Sequence, residues 1–254
     1  MPAVQLTDRG SGAAVSTESR DLTRAAVAAL GAPSILDTQP WHWRIGHDTA
    51  DLRADRSRQP ATIDPAGRLL TISCGIALHH AHTALHAAGH QTDIAYLPDD
   101  TDPDLLATVR IHGTAATTGN AVRLFRAMAA RHHDQRPVDT RPVHDDTLRR
   151  LHDAAEEHGA HLHLPGSSGQ GTGYALLYTD SDEPRDWLTA GVALSAVLLT
   201  ATADGLSPTI LDDPTETASS RDVPLGHPMV AIRIGHPIAT APQRSAHDVL
   251  DHKR

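Results

Sequence analysis

Ala32-Pro33-Ser34-Ile35-Leu36-Asp37-Thr38-Gln39-Pro40-Trp41-His42-Trp43-Arg44 is the stretch around which the rest of the chain is organised. Pro33 and Pro40 break helical pattern on either side, so the segment between them is a loop. It follows a predicted helix and runs into a short alternating strand that carries two indoles. Ser, Asp, Thr and Gln beside aromatic surface suit a planar, partly polar ligand, with rings against its face and hydrogen-bonding groups at its edge. The plainer reading is a helix-to-strand connection whose tryptophans are core, and the residues alone leave both open.

Outward from this loop, helical periodicity runs from Thr17 through Leu22, Ala25, Ala26, Ala29 and Leu30 to a stop at Gly31. Residues 1–16 lack periodicity and read as a flexible tail. After the loop come strands near 41–45 and 50–54. Asp64-Pro65 reads as an N-cap with proline at the first helical position. The helix it opens carries Leu69, Leu70, Ile72, Ile76, Leu78 and Leu85 and ends at Gly89. Strands are expected at 93–97 and 107–111, and the small, turn-forming residues 113–119 mark a boundary. Beyond it, Asn120 caps a helix to about 130. Another helix spans 145–158, with strands at 160–164 and 174–179. An apolar helix at 184–204 stops at Gly205, and the last strand covers 229–234.

One repeat is visible. Gly75-Ile76-Ala77-Leu78 precedes Gly89 by the same 14 residues that separate Gly191-Val192-Ala193-Leu194 from Gly205. With the boundary at 113–119, it favours two related halves in one chain.

Composition narrows the function. The chain has 254 residues, enough for a substantial core, and its formal charge of −9 leaves no basic stripe for nucleic acid. Cys74 is the single cysteine, which excludes an intrachain disulfide. No apolar leader or run of 18 apolar residues is evident, so a cytoplasmic protein with no membrane partner is expected. Gly166–Gly173 lacks the lysine of a phosphate loop and reads as a linker. His79, His82, His86 and His90 share one helical face but lack an acidic or cysteine companion, so no metal is expected. No nucleophile–base pair stands out.

The pattern APS-x-x-x-TQPW-x-WR resembles the first FMN-contacting loop of nitroreductase-fold flavoproteins, and more narrowly the actinobacterial Acg-like branch, in which one chain carries two such halves. The resemblance runs from about residue 20 to the end. It implies an α+β, nitroreductase-like pseudo-dimer with FMN between its halves, residues 17–118 and 119–254. It implies Pro33, Ser34, Asp37 and Gln39 at the flavin ring, and Gly205, Leu206 and Ile210 packing on its other side. Arg131, His132, His133, Gln135 and Arg136 resemble the Arg-rich phosphate stretch, and Arg244 the second basic contact. Guanidinium groups suit a phosphate because they present paired donors in a plane. Chemistry on the flavin needs no catalytic side chain.

The implied activity is electron transfer from NAD(P)H through FMN to a nitroaromatic, quinone or similar acceptor. FMN sequestration without turnover and a flavin-free interaction scaffold are the alternatives, and the oligomer is a monomeric pseudo-dimer or a homodimer. Three departures bear on these expectations. Asp37 stands where the family usually has Asn, so it accepts but cannot donate, and it adds negative charge. Gln135 and Gln243 replace residues that are usually basic. Several dozen residues of the longer Acg-like chains are missing between the strands at 160–164 and 174–179.

Overall fold

Two 20-residue helices, α2 (Arg68–Ala87) and α5 (Pro184–Ala203), form the centre of the protein. Both are apolar on nearly every side, the pattern of helices surrounded by protein. The computed structural model describes residues 4–6, 16–132, 138–139, 141–164, 173–211 and 226–238. By length and composition α5 could cross a membrane, although no such segment was expected. Here it is buried along most of its length and serves as a core helix.

Helix α1 (Thr17–Ala29) starts where its periodicity does, with the Ser16 hydroxyl accepting the Ser19 N–H at 3.0 Å. Ahead of it, where a loose tail was expected, Val4–Leu6 forms β1, paired in parallel with β2 (Trp41–Ile45). Three residues are too few for a period-2 pattern to register, and pairing to a neighbour supplies what the local sequence does not.

Strands β3 (Thr49–Ala54), β4 (His90–Tyr96) and β5 (Leu105–Thr114) complete a sheet ordered β1-β2-β3-β5-β4. Helices α3 (Gly119–His132) and α4 (Asp145–Glu156) lead to the second sheet. There β6 (His161–His163), β7 (Gly173–Thr179), β8 (Ser207–Leu211) and β9 (His227–Gly235) take the order β6-β7-β9-β8. Apart from β1, which adds an edge to the first sheet alone, two strands in each sheet precede a 20-residue helix and two follow it, and the later pair enters in reversed spatial order.

Two helix starts differ from expectation. Helix α2 begins at Arg68, not after Asp64, because Gly67 adopts φ +77° and resets the chain. Asp64 still caps it from a distance: its carboxylate, on a residue only 3% exposed, accepts the Leu70 N–H at 2.9 Å. Asp64→Ala should therefore cost about 1–2 kcal/mol, the range for a lost helix cap, and Asp64→Asn much less, as read by urea unfolding. Helix α3 is capped by Thr118, whose hydroxyl accepts the Ala121 N–H at 3.1 Å, so Asn120 lies inside it.

The repeated glycines lie where α2 and α5 meet. A Cβ added to Gly75 would stand 2.2 Å from the Leu188 carbonyl oxygen and 2.8 Å from the Gly191 Cα. One added to Gly191 would stand 2.0 Å from the Ile72 carbonyl oxygen and 2.8 Å from the Gly75 Cα. Leu188 follows Ile72 by the same 116 residues that separate Gly191 from Gly75, so each contact has its counterpart. Residues that touch their own equivalents are the mark of a two-fold contact.

Candidate functional site

The loop before β2 is held in a conformation that its residue types disfavour. Leu36, Asp37 and Gln39 have φ of +58°, +51° and +44°. Left-handed backbone costs a non-glycine residue on the order of 1–2 kcal/mol, and it persists only where surroundings over-determine it.

The surroundings are identifiable. The Ser73 hydroxyl, on α2, accepts the Ile35 N–H at 3.0 Å and donates to the Leu69 carbonyl at 2.8 Å. Within the loop, Ser34 Oγ accepts the Gln39 N–H at 2.9 Å. The Arg58 guanidinium donates to the Thr38 carbonyl at 3.1 Å. At the loop's end the Pro40 carbonyl takes the Asp55 N–H at 2.9 Å and the Cys74 thiol at 3.4 Å. Burial pushes the Cys74 thiol up, which keeps it protonated and able to donate.

This framework leaves two side chains uncommitted. Among the described residues, neither the Asp37 carboxylate nor the Gln39 amide has a hydrogen-bond partner. Asp37 is exposed, and Pro33, Ser34 and Gln39 are half-buried. The two indoles do not join them: Trp41 and Trp43 are each 1% exposed and belong to the core. The plainer reading holds for the tryptophans, and no aromatic face is offered to a ligand from β2.

The candidate phosphate residues are only partly described. Arg131 lies in the last turn of α3, half-buried and within electrostatic reach of His80 on α2. His132 ends α3, and its side chain lies outside the described residues, as do His133, Gln135, Arg136 and Arg244. Ser73 touches the loop, and His80 follows it by seven residues. At 1.5 Å per residue the two candidate regions are about 10 Å apart along α2.

The third group is divided. Gly205 closes α5 with φ +80°, and Leu206 is buried in the core. Ile210 is half-buried on β8, opposite Ile232. A strand rises about 3.3 Å per residue, so Gly205 and Ile210 lie near opposite ends of the strand.

Sequence reasoning missed the framework residues Ser73, Arg58 and Cys74. Ser73 and Cys74 reach loop partners more than 30 residues away, and Arg58 one 20 away, so no local pattern signals them. Of the four histidines expected on one helical face, His90 lies beyond the helix. His79 and His80 are buried, and His90 lies on β4, hydrogen-bonded to Asp21 at 3.0 Å. Burial holds His79 well below the usual imidazole range, and lowers His80 to about 3 and His82 to about 4. Among the described residues no three metal-ligating side chains are grouped to hold an ion.

A cleft of about 600 Å³ lies elsewhere, between α3 and the end of α5, lined by Val122, Arg126, Ala127, Thr202 and Ala203. It includes no residue of the 33–39 loop. The loop's geometry is the stronger guide, since size alone does not place chemistry.

No protein-family model matches the chain. It is similar to a candidate NAD(P)H nitroreductase of Mycobacterium tuberculosis H37Rv, 26% identical over 306 aligned positions that cover 88% of this chain and 89% of that one. The alignment is longer than the chain itself, so the relative carries residues with no counterpart here. A second candidate NAD(P)H nitroreductase from the same strain, Acg, is 34% identical over 90 residues, covering 35% of this chain and 27% of that one. Among solved structures, a candidate nitroreductase from Desulfovibrio desulfuricans in complex with FMN is 18% identical. It covers 52% of this chain and 96% of that chain, with a TM-score of 0.36. The kinship therefore rests on sequence.

Proposed function

We propose that this chain, an Acg-like protein of the nitroreductase fold by its sequence relatives, is an FMN-dependent oxidoreductase. FMN, when bound, would supply the two-electron chemistry that links NAD(P)H oxidation to reduction of a small acceptor such as a nitroaromatic or quinone, and the chain's residues would bind and orient it. The observation that carries this reading is the 33–39 loop. Three non-glycine residues are held in left-handed backbone by bonds from α2 and Arg58, while Asp37 and Gln39 stay free to bind.

Supporting this reading, the described residues offer hydrogen-bonding groups at the loop and a guanidinium on α3. Asp37 would accept from the ring N3–H, Gln39 would donate or accept at the ring edge, and Ser34 would keep the loop closed. Arg131, about 10 Å along α2, would face the phosphate, with Arg136 and Arg244 completing the basic set. The loop belongs to residues 17–118 and the arginines to 119–254, so the flavin would lie between two halves. Supporting the two-half reading are the matching strand orders and the reciprocal contacts of Gly75 and Gly191.

The test is an absorption spectrum of the purified chain, repeated after adding FMN, desalting and supplying NAD(P)H. Flavin bands that bleach with the nicotinamide and return with an acceptor are expected. Bands that persist unbleached would indicate sequestration without turnover, and no retained flavin would end the proposal.

A further inference from the structure

At the α2–α5 contact, one turn beyond the glycines, a serine lies between two buried imidazoles. Ser195 Oγ is 2.8 Å from His79 Nδ1 and 3.0 Å from His80 Nδ1, and Ser195 is 0% exposed. His79 and Ser195 are 116 residues apart, the offset that relates Gly75 to Gly191. Two equivalent positions therefore touch across the interface, with a hydrogen bond where the glycines have backbone contact.

The proton positions follow from the partners. His80 Nδ1 also lies 3.1 Å from the Ile76 carbonyl, which only accepts, so this nitrogen carries the proton. It donates to Ile76 O and toward Ser195. The Ser195 hydroxyl proton then goes to His79 Nδ1, whose lone pair is free when His79 is the Nε2–H tautomer. Both rings are neutral in this arrangement, and each polar atom facing the serine is satisfied.

Among the described residues no carboxylate acts on His79 or His80. On α2 the nearby titratable groups are His82 and His86, with ring centroids 4.0 Å apart. From the turn after α4, the His158 ring stands edge-on to His79 at 5.1 Å. Arg131 acts on His80 from α3, and α5 contributes Ser195. Glu157 acts on His158 and not on His79 or His80. A proton added to His79 would leave two imidazole N–H groups aimed at one hydroxyl oxygen, and a charge without a partner in dry protein.

We propose that His79, Ser195 and His80 form an acid-sensitive latch across the α2–α5 interface, closed while both imidazoles are neutral and released as either takes a proton. The two halves separate at this seam on acidification. Because the proposed flavin position lies between the same halves, release frees it, and this clause alone rests on the reading above. The sign is fixed by burial. Both groups bind protons less readily in the closed chain than in an opened one, where they titrate near 6.5. The closed state is thus fully favoured above pH 6.5 and loses ground as pH falls below it.

The test compares the wild-type full chain with a His79→Asn/His80→Asn double variant, in which the amides keep the Nδ1-side bonds but cannot titrate. Opening is followed by near-UV circular dichroism and Trp187 fluorescence in urea at pH 5.5 and 4.5. Trp187 reports on the seam because its indole donates to Asp182, which pairs with Arg68 of α2 at 3.1 Å. Each histidine that takes up a proton on opening multiplies the opening constant by close to 10 per pH unit. The wild-type constant should therefore rise about 100-fold more than that of the double variant over this interval. Equal rises in the two proteins overturn the latch.

Ser195→Ala removes the bridge without removing a titrating group, so it should weaken closure at both pH values with an unchanged pH slope. A Ser195→Ala chain as stable as wild type also overturns the proposal. Should the double variant not fold, nitrogen NMR of wild type at pH 6 decides. His80 as Nδ1–H and His79 as Nε2–H sustain the latch, and a charged ring or the reverse tautomers refute it. Opening with the expected proton uptake in a chain that retains no FMN at any pH sustains the latch and removes the flavin reading. FMN that stays bound through opening removes the release clause.

Discussion

Gly191→Ala is expected to destabilise the protein by about 3 kcal/mol or more, with loss of soluble expression as the extreme outcome. The added methyl would stand 2.0 Å from the Ile72 carbonyl oxygen, 2.8 Å from the Gly75 Cα and 2.9 Å from the Ile72 carbonyl carbon. All three atoms are backbone in the middle of a helix, so no side chain can rotate aside. The helices would have to move apart, and two 20-residue core helices that separate lose packing along their whole contact.

Gly75→Ala should cost a similar amount, because its methyl would meet the Leu188 carbonyl oxygen at 2.2 Å. The two changes should not add, since both force the same separation. Gly205→Ala is the contrast. Nothing lies within 4 Å of its added methyl, and only its φ of +80° opposes substitution, which costs about 1 kcal/mol. Urea unfolding of the three variants measures these differences. A Gly191→Ala chain within about 0.5 kcal/mol of wild type would show that the helices do not cross so closely.

Arg131→Ala is expected to weaken FMN binding by a factor of about 30 or more on the proposed reading. Removing a guanidinium from a partly buried phosphate contact costs about 2–5 kcal/mol, because a charge loses both its partner and its paired donors. Arg131→Lys should fall between, since an ammonium keeps the charge but not the planar fork. Quenching of free FMN fluorescence on titration with each variant gives the affinities. An affinity unchanged by Arg131→Ala would place the phosphate elsewhere, because no redundancy is expected of a basic set already thinned at Gln135 and Gln243.

Much of the secondary structure was legible because its signals are local. The apolar runs of α2 and α5, the alternation in Trp41–Ile45 and the periodicity that begins at Thr17 place their elements to within a few residues. Where the reading slipped, a partner outside the window decided. Asp64 caps Leu70 across a glycine turn, and Val4–Leu6 becomes a strand only because β2 lies beside it. The candidate loop was legible as a loop and as a resemblance, but not as a strained one. Its positive φ values depend on Ser73, Arg58 and Cys74, which folding brings from 20 to 38 residues away. The tryptophans were the costly case. Alternation placed them on one face of a strand, but alternation does not say whether that face meets a ligand or the core.

By itself the sequence determined the helices and most of the strands, though not β1 or β8, together with the two-fold spacing of the glycines and the chemical types available at the loop. Hydrogen-bonding pattern, periodicity and capping act within a few residues, so they can be read along the chain. The tertiary structure decided which polar groups are spent and which remain free. Ser73 and Cys74 are consumed in holding the loop, Asp37 and Gln39 are left uncommitted, and His79, read from the sequence as part of a shared histidine face, is drawn with its neighbour His80 into a dry seam with Ser195. A side chain's function depends on its partners and its solvation, and both are set by contacts between residues far apart in sequence.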